Sequence, residues 1–156
     1  MAVEQRIQLT PQGKLELEQE RDQFRNVKRT DLLERIQELS ADGDVSDNSE
    51  YEDVKEELVQ LESRIREIEN IINSAVIVEH SSSNGTVVFG SVVTLLDEHG
   101  DEETWTIVGP QEANARLGRI SNVSPVGAAL LGKRKKDKIT VCAPGGQTVF
   151  RIKDVR

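Results

Sequence analysis

The chain has 156 residues and a net charge of −8, enough for one ordinary domain or two small ones. Aromatic residues make up only 3%, too few for a base-stacking platform, and the acidic balance argues against free nucleic acid as the main partner. The charge is uneven, with 10 basic and 19 acidic side chains in residues 1–78 against 10 and 9 in residues 79–156, so two parts with different tasks are expected.

The opening "MAVEQRIQLT" has no basic stretch followed by an apolar core, so no secretory signal is expected. No apolar run approaches the roughly 20 residues a membrane span needs. A single cysteine, Cys142, excludes an internal disulfide and a cysteine-based zinc site. A cytoplasmic protein without a membrane partner is the expectation.

"LTPQG" opens the first element, with Thr10 as N-cap and Pro11 in the first helical turn. Leu17, Phe24, Val27, Leu32, Ile36 and Leu39 then form an imperfect apolar stripe, which predicts a helix to about Ser40. The second helix is cleaner. Tyr51, Val54, Leu58, Leu61, Ile65, Ile68 and Ile72 are spaced alternately by three and four, the seam of a coiled coil. With about ten residues between them, the two helices must fold back antiparallel. At 1.5 Å per residue the hairpin is on the order of 40–45 Å long.

Its far end is "SADGDVSDNSEYED", Ser40 to Asp53, with six acidic residues and no basic one. The plainest reading is a solvated acidic loop. A calcium loop starting at Asp42 fails at two places, because Asp47 stands where the sharp turn needs Gly and Asp53 where a bidentate Glu belongs. The third reading is a carboxylate pair, Asp44 and Asp47, carried to another macromolecule's metal site. Such a pair points one way if the second helix begins near Ser46. Two carboxylates hold Mg²⁺ poorly alone and work best beside a phosphodiester and an existing metal.

After Ser74 the period changes. "AVIVEH" is β-branched, and "TVVFGSVVTLLD", "ETWTIVG", "KITVCAP" and "QTVFRIKDV" read as strands between turn segments such as "GPQEA" and "PGG". "SPVGAALLG" reads as a short helix capped by Ser124, with Pro125 in its first turn and Gly132 as its stop. Cys142 is expected as a small buried apolar residue. His80 and His99 sit in polar loops, and "GKRKKDK" reads as a solvated turn. The fold class is therefore α+β: residues 1–78 a coiled-coil hairpin, residues 79–156 a compact globular domain.

"LTPQG", "GDVSDNSEY", "VVFGSVVTL", "ISNVSPVGAALLGK" and "PGG", in this order, resemble the bacterial GreA/GreB transcript cleavage factors over nearly the whole chain. The resemblance implies an FKBP-like globular domain that docks on RNA polymerase while the hairpin enters the secondary channel. It implies that Asp44 and Asp47 act as catalytic acids, sharing Mg²⁺ with the polymerase active centre, so that backtracked RNA is cut near its 3′ end. Asn48, Glu50 and Tyr51 fall on the tip motif, and Lys55 keeps a basic residue near the RNA. Tyr51 is equally the first residue of the seam. Ser124 and Pro125 match the polymerase-contacting loop, although both are also explained as a helix start. A monomeric accessory factor, itself no enzyme, is expected.

Two departures leave alternatives open. Asp47 is one methylene shorter than the family's usual Glu, and Ser40 stands where a basic residue is common. A homologue that occupies the channel and inhibits polymerase without cleavage remains an alternative within the fold. A peptidyl-prolyl isomerase is another, because the globular fold is shared. Fold alone does not carry activity, and Phe89, Trp105 and Phe150 are a sparse aromatic set for an isomerase pocket.

Overall fold

Strand β1 is only Gln8–Leu9, and it pairs in parallel with β2, Val76–Ile77, so that chain from before and after the helices meets in one small sheet. The computed structural model describes residues 6–41, 49–80 and 85–156. By its contacts the chain divides into two units. Lys14–Ala75 forms one; the chain up to Gly13 joins Val76–Arg156 in the other. In this grouping by contacts the first strand falls with the chain that follows the helices. The reason is the β1–β2 pairing, which no local pattern announces.

In the helical unit, α1 (Pro11–Gln23) runs through a π-helical turn, Phe24–Lys28, into α2 (Arg29–Ala41). After the segment 42–48, α3 spans Ser49–Ser74. The π turn explains the imperfect stripe. Leu17 and Phe24 are seven residues apart, two helical turns, but Phe24 and Leu32 are eight apart. One residue too many would rotate every later apolar side chain off the seam. The Arg29 N–H bonds to the Phe24 carbonyl, five residues back, and this wider turn absorbs the extra residue. Leu17 and Leu32 are accordingly both buried. Val27, placed on the stripe by its sequence, lies within the π turn and is 51% exposed.

The arms run antiparallel, as the spacing predicts. Arg25 pairs with Glu69, Arg29 with Glu62 at 3.3 Å and Arg35 with Glu50 at 3.3 Å, so the partner number falls as the first arm advances. Each of these surface pairs contributes about 0–1 kcal/mol. The main stabilisation is therefore apolar burial along the seam, where Val54, Ile65 and Ile68 are buried together with the neighbouring Ile71. Arg64 bridges Glu67 at 2.9 Å and Glu20 at 3.2 Å. The Glu67 hydrogen bond and then Glu20 raise its guanidinium pKa against the opposing effect of burial.

The globular unit is a five-stranded mixed sheet in the order β5-β4-β3-β7-β6. Its strands are β3 (Val92–Leu96), β4 (Glu102–Val108), β5 (Arg119–Ser121), β6 (Lys138–Ala143) and β7 (Gly146–Val155). β4 and β5 pair in parallel; the other pairs are antiparallel. The short helix α4, Pro125–Leu130, contributes Leu130 to a core with Val87, Val93, Leu95, Ile107, Ile139, Val141 and Ile152. The α+β class expected from the sequence is the class found.

Two local expectations are corrected, and one segment left unassigned by the sequence is now defined. The run "TVVFGSVVTLLD" is a strand only from Val92, because Gly90 turns the chain at φ 89° and the Val88 N–H bonds to the Ser91 hydroxyl at 3.0 Å. Cys142 is exposed, because β6 alternates and turns Ile139 and Val141 inward. The segment between "GPQEA" and the short helix holds a 3-10 turn, Ala115–Leu117, and the three-residue β5. Both are too short to leave a periodic signal.

Candidate functional site

The acidic segment is built by the two arms that lead to it. Asp44, Asp47 and Asn48 fall in residues 42–48, outside the described residues. The described part of the second helix starts at Ser49 and carries Glu50 and Glu52 in its first turn. Acids suit that position, since the helix N-terminus carries partial positive charge. Glu50 is exposed and meets Arg35 across the hairpin. Tyr51 is half-buried at the start of the seam, and the Lys55 ammonium lies 5.0 Å from its ring centroid. Tyr51 thus packs as the first residue of the seam and holds the Lys55 ammonium over its ring. Ser40 is exposed and turns its hydroxyl back to the Ile36 carbonyl at 2.8 Å. A cleft of about 540 Å³ beside Tyr51 and Lys55 is lined by Leu33, Ile36, Leu58 and Val59.

Among the described residues no group of three or more His, Cys, Asp or Glu side chains is placed to hold a metal ion. Asp44 and Asp47, the pair expected from the sequence to share Mg²⁺, lie outside those residues.

The second place is the turn into α4. The Ser124 hydroxyl accepts from the Gly127 N–H at 3.1 Å and donates to the Ser121 carbonyl at 2.7 Å. Its role as helix cap, expected from the sequence, is thus observed. Gly127 is required, because a Cβ there would lie 2.0 Å from the Ser121 carbonyl oxygen. The closed turn leaves Pro125 exposed and Val123 64% exposed beside it. Val123 was not singled out by its sequence; a lone valine before a capping serine looks like any loop residue.

The third place was also not anticipated. Glu112, in the loop "GPQEA", is only 8% exposed. Its carboxylate accepts from the Thr10 N–H at 2.9 Å and from the Thr10 hydroxyl, while the Thr10 hydroxyl oxygen accepts from the Gly13 N–H at 3.0 Å. Thr10 is therefore the N-cap the sequence suggested, but a second residue, 102 positions away, completes it. A Cβ on Gly13 would meet the Glu112 carboxylate at 2.0 Å, and one on Gly109 would meet the Gln8 carbonyl oxygen at 2.1 Å. The two glycines let the N-terminal segment lie directly against the loop after β4.

Two family profiles together cover almost the whole chain. The profile "Transcription elongation factor, N-terminal" matches residues 7–77. "Transcription elongation factor, GreA/GreB, C-term" matches residues 82–156. The chain is 49% identical to the transcription elongation factor GreA of Chloroflexus aurantiacus over 150 residues, covering 95% of this chain and 96% of the relative. It is 44% identical to GreA of Geobacillus kaustophilus, with both chains covered completely. GreA of Bacillus subtilis is 42% identical, with 97% of this chain and 98% of that protein covered. Among solved structures, the GreA factor homolog 1 protein of Thermus thermophilus is 33% identical, covers 97% of this chain and 99% of its own, and superposes with a TM-score of 0.45. No helix among the described residues is long and apolar enough to cross a membrane. The chain belongs to the GreA/GreB family of transcription elongation factors.

Proposed function

We propose that the protein is an accessory factor of RNA polymerase whose hairpin enters the secondary channel and stimulates cleavage of backtracked nascent RNA by the polymerase active centre. The observation that carries this reading is the pair of long antiparallel arms leading to an acid-rich segment. A hairpin whose core is one narrow seam has no room for a buried active site along its length, so its chemistry belongs at its end.

Within this reading Asp44 and Asp47 would hold a Mg²⁺ ion jointly with the polymerase. The chemistry such an ion would supply is electrostatic stabilisation of the charge that develops when the phosphodiester is cut. Asn48 and Glu50 flank the acids, and Lys55, steadied over the Tyr51 ring, offers its ammonium to the RNA backbone. Ser124 shapes the turn, while Pro125 and Val123 offer an exposed apolar contact for polymerase.

The test is a stalled, backtracked elongation complex incubated with and without the protein. Shortening of the transcript from its 3′ end, absent when labelled RNA is incubated with the protein and Mg²⁺ alone, supports the reading. Channel occupancy with inhibition and no shortening replaces it with the inhibitory homologue, for which the shorter Asp47 and the uncharged Ser40 are the motivating residues.

A further inference from the structure

We infer that Gln8 is a positioning residue for polymerase docking, acting through Asn122 on the exposed turn Val123–Pro125; this rests on the docking reading above and deepens it. Every residue concerned belongs to the unit formed by the chain up to Gly13 and Val76–Arg156.

The turn closes on itself, and Asn122 fastens it to its surroundings. Inside it, the Val123 N–H bonds to the Ser121 hydroxyl and the Ser124 N–H to the Ser121 carbonyl, both at 3.1 Å. Asn122 reaches outward. Its N–H bonds to the Val108 carbonyl at 2.9 Å, and its side-chain amide donates to the Gln8 side-chain oxygen at 3.3 Å, 114 positions away.

Gln8 is a fixed post for that bond, although its side chain is exposed. The carbonyls of its neighbours Ile7 and Leu9 accept the Val76 and Val78 N–H groups at 2.8 and 2.9 Å. Leu9 is fully buried, and Thr10 is held by Glu112. On the other side, the Gln8 carbonyl oxygen lies so close to Gly109 that a Cβ there would meet it at 2.1 Å.

Stability does not account for the asparagine. An exposed hydrogen bond of 3.3 Å is at the long end of the range and adds little net stability. The Asn122 Oδ1 is buried with no hydrogen-bond partner among the described residues, and an orphaned acceptor costs free energy. What the side chain does supply is a link from a fixed strand to the turn that presents Val123 and Pro125. An exposed contact held in one arrangement beforehand loses less conformational freedom on binding.

The experiment uses the full-length protein, competing with labelled parent protein for polymerase. Gln8→Ala and Asn122→Ala should each weaken competition about threefold, with melting midpoints within about 3 °C of the parent. The double variant should also lose about threefold, because both substitutions remove one bond. In cleavage of one backtracked complex the half-saturating concentration should rise by the same factor, with the saturating rate within about twofold of the parent. A double variant weakened about ninefold would make the two residues independent contacts and overturn the inference. Affinity that falls only in step with the melting midpoint would overturn it as well. Val123→Asp is measured beside them. If it weakens competition while Gln8→Ala and Asn122→Ala do not, the inference fails and the docking reading stands. If Val123→Asp and Pro125→Ala both compete like the parent, the docking reading fails and the inference with it.

Discussion

The Glu112 carboxylate accepts the Thr10 backbone N–H at 2.9 Å, and the space it occupies is the space a side chain on Gly13 would need. "LTPQG" is therefore more than a helix start. Its glycine sits in the first turn of α1, where a carboxylate from the loop after β4 lies against it.

Gly13→Ala is expected to push Glu112 out of its place, because the obstructing atoms are the end of a flexible side chain. The cost is that of losing the cap and its hydrogen bonds, about 1–2 kcal/mol. Urea unfolding should show it as a lower midpoint with an unchanged slope. An unaltered midpoint would mean that the carboxylate finds an equally good seat nearby.

Gly127→Ala is expected to cost more, although it adds the same methyl group. Here the obstructing atom is the Ser121 backbone oxygen, which cannot swing away without breaking the β5 pairing or the Ser124 turn. A loss of about 3 kcal/mol is anticipated, at the upper end of overpacking effects. Thermal unfolding of Gly13→Ala and Gly127→Ala side by side tests the ranking. Equal losses would contradict it.

The π turn makes a deletion inside it far milder than a deletion elsewhere in the hairpin. Removing Asn26 from Phe24–Lys28 leaves Phe24 and Leu32 seven residues apart, so an ordinary helix keeps both on the seam. Stability should change by less than about 1 kcal/mol. Removing Gln60 from α3 shifts Leu61, Ile65, Ile68 and Ile72 out of phase with Leu58 and should cost at least about 3 kcal/mol. Helical content and melting midpoint by circular dichroism separate the two. A severe loss on removing Asn26 would show that the turn does more than absorb a residue.

The hairpin was legible in the sequence because Tyr51 to Ile72 repeats one spacing for three heptads, a signal too long to arise from a short apolar run. The same reading misplaced Val27, since a stripe drawn by eye does not show that one extra residue will be absorbed in a wider turn. β1, β2 and β5 were illegible for a different reason. Two or three residues carry no period, and their pairing depends on chain from elsewhere, as with Gln8 against Val76. Cys142 was placed inside on its residue type, yet the alternation of Ile139 and Val141 in its own strand already points it outward. Glu112 could not have been found: an acid in a loop with Gly, Pro and Gln reads as solvated until Thr10 and Gly13 are seen beside it.

Pro125→Ala tests the proposed division of labour between the units. The Ser124 cap and the Gly127 bond remain, so the fold should persist while an exposed contact is lost. Competition for polymerase should weaken about fivefold, and Val123→Asp should weaken it further, by placing a charge on the apolar contact. The seam should melt unchanged in both. Undiminished polymerase affinity in both variants would move the docking contact to another surface of the globular unit.

The most direct measurement of the central claim is the cleavage rate of one backtracked elongation complex with saturating Asp44→Asn protein, across several Mg²⁺ concentrations. The substitution keeps the size of the side chain and removes the charge that a shared Mg²⁺ requires. The variant should compete with the parent protein for polymerase at equal concentration and fail to stimulate cleavage. Asp47→Asn should behave similarly with a milder loss. Asp47→Glu should raise the rate if the short side chain limits reach. Cleavage by Asp44→Asn at the parent rate would contradict the account, because the acidic segment would then not be the element that acts on the RNA.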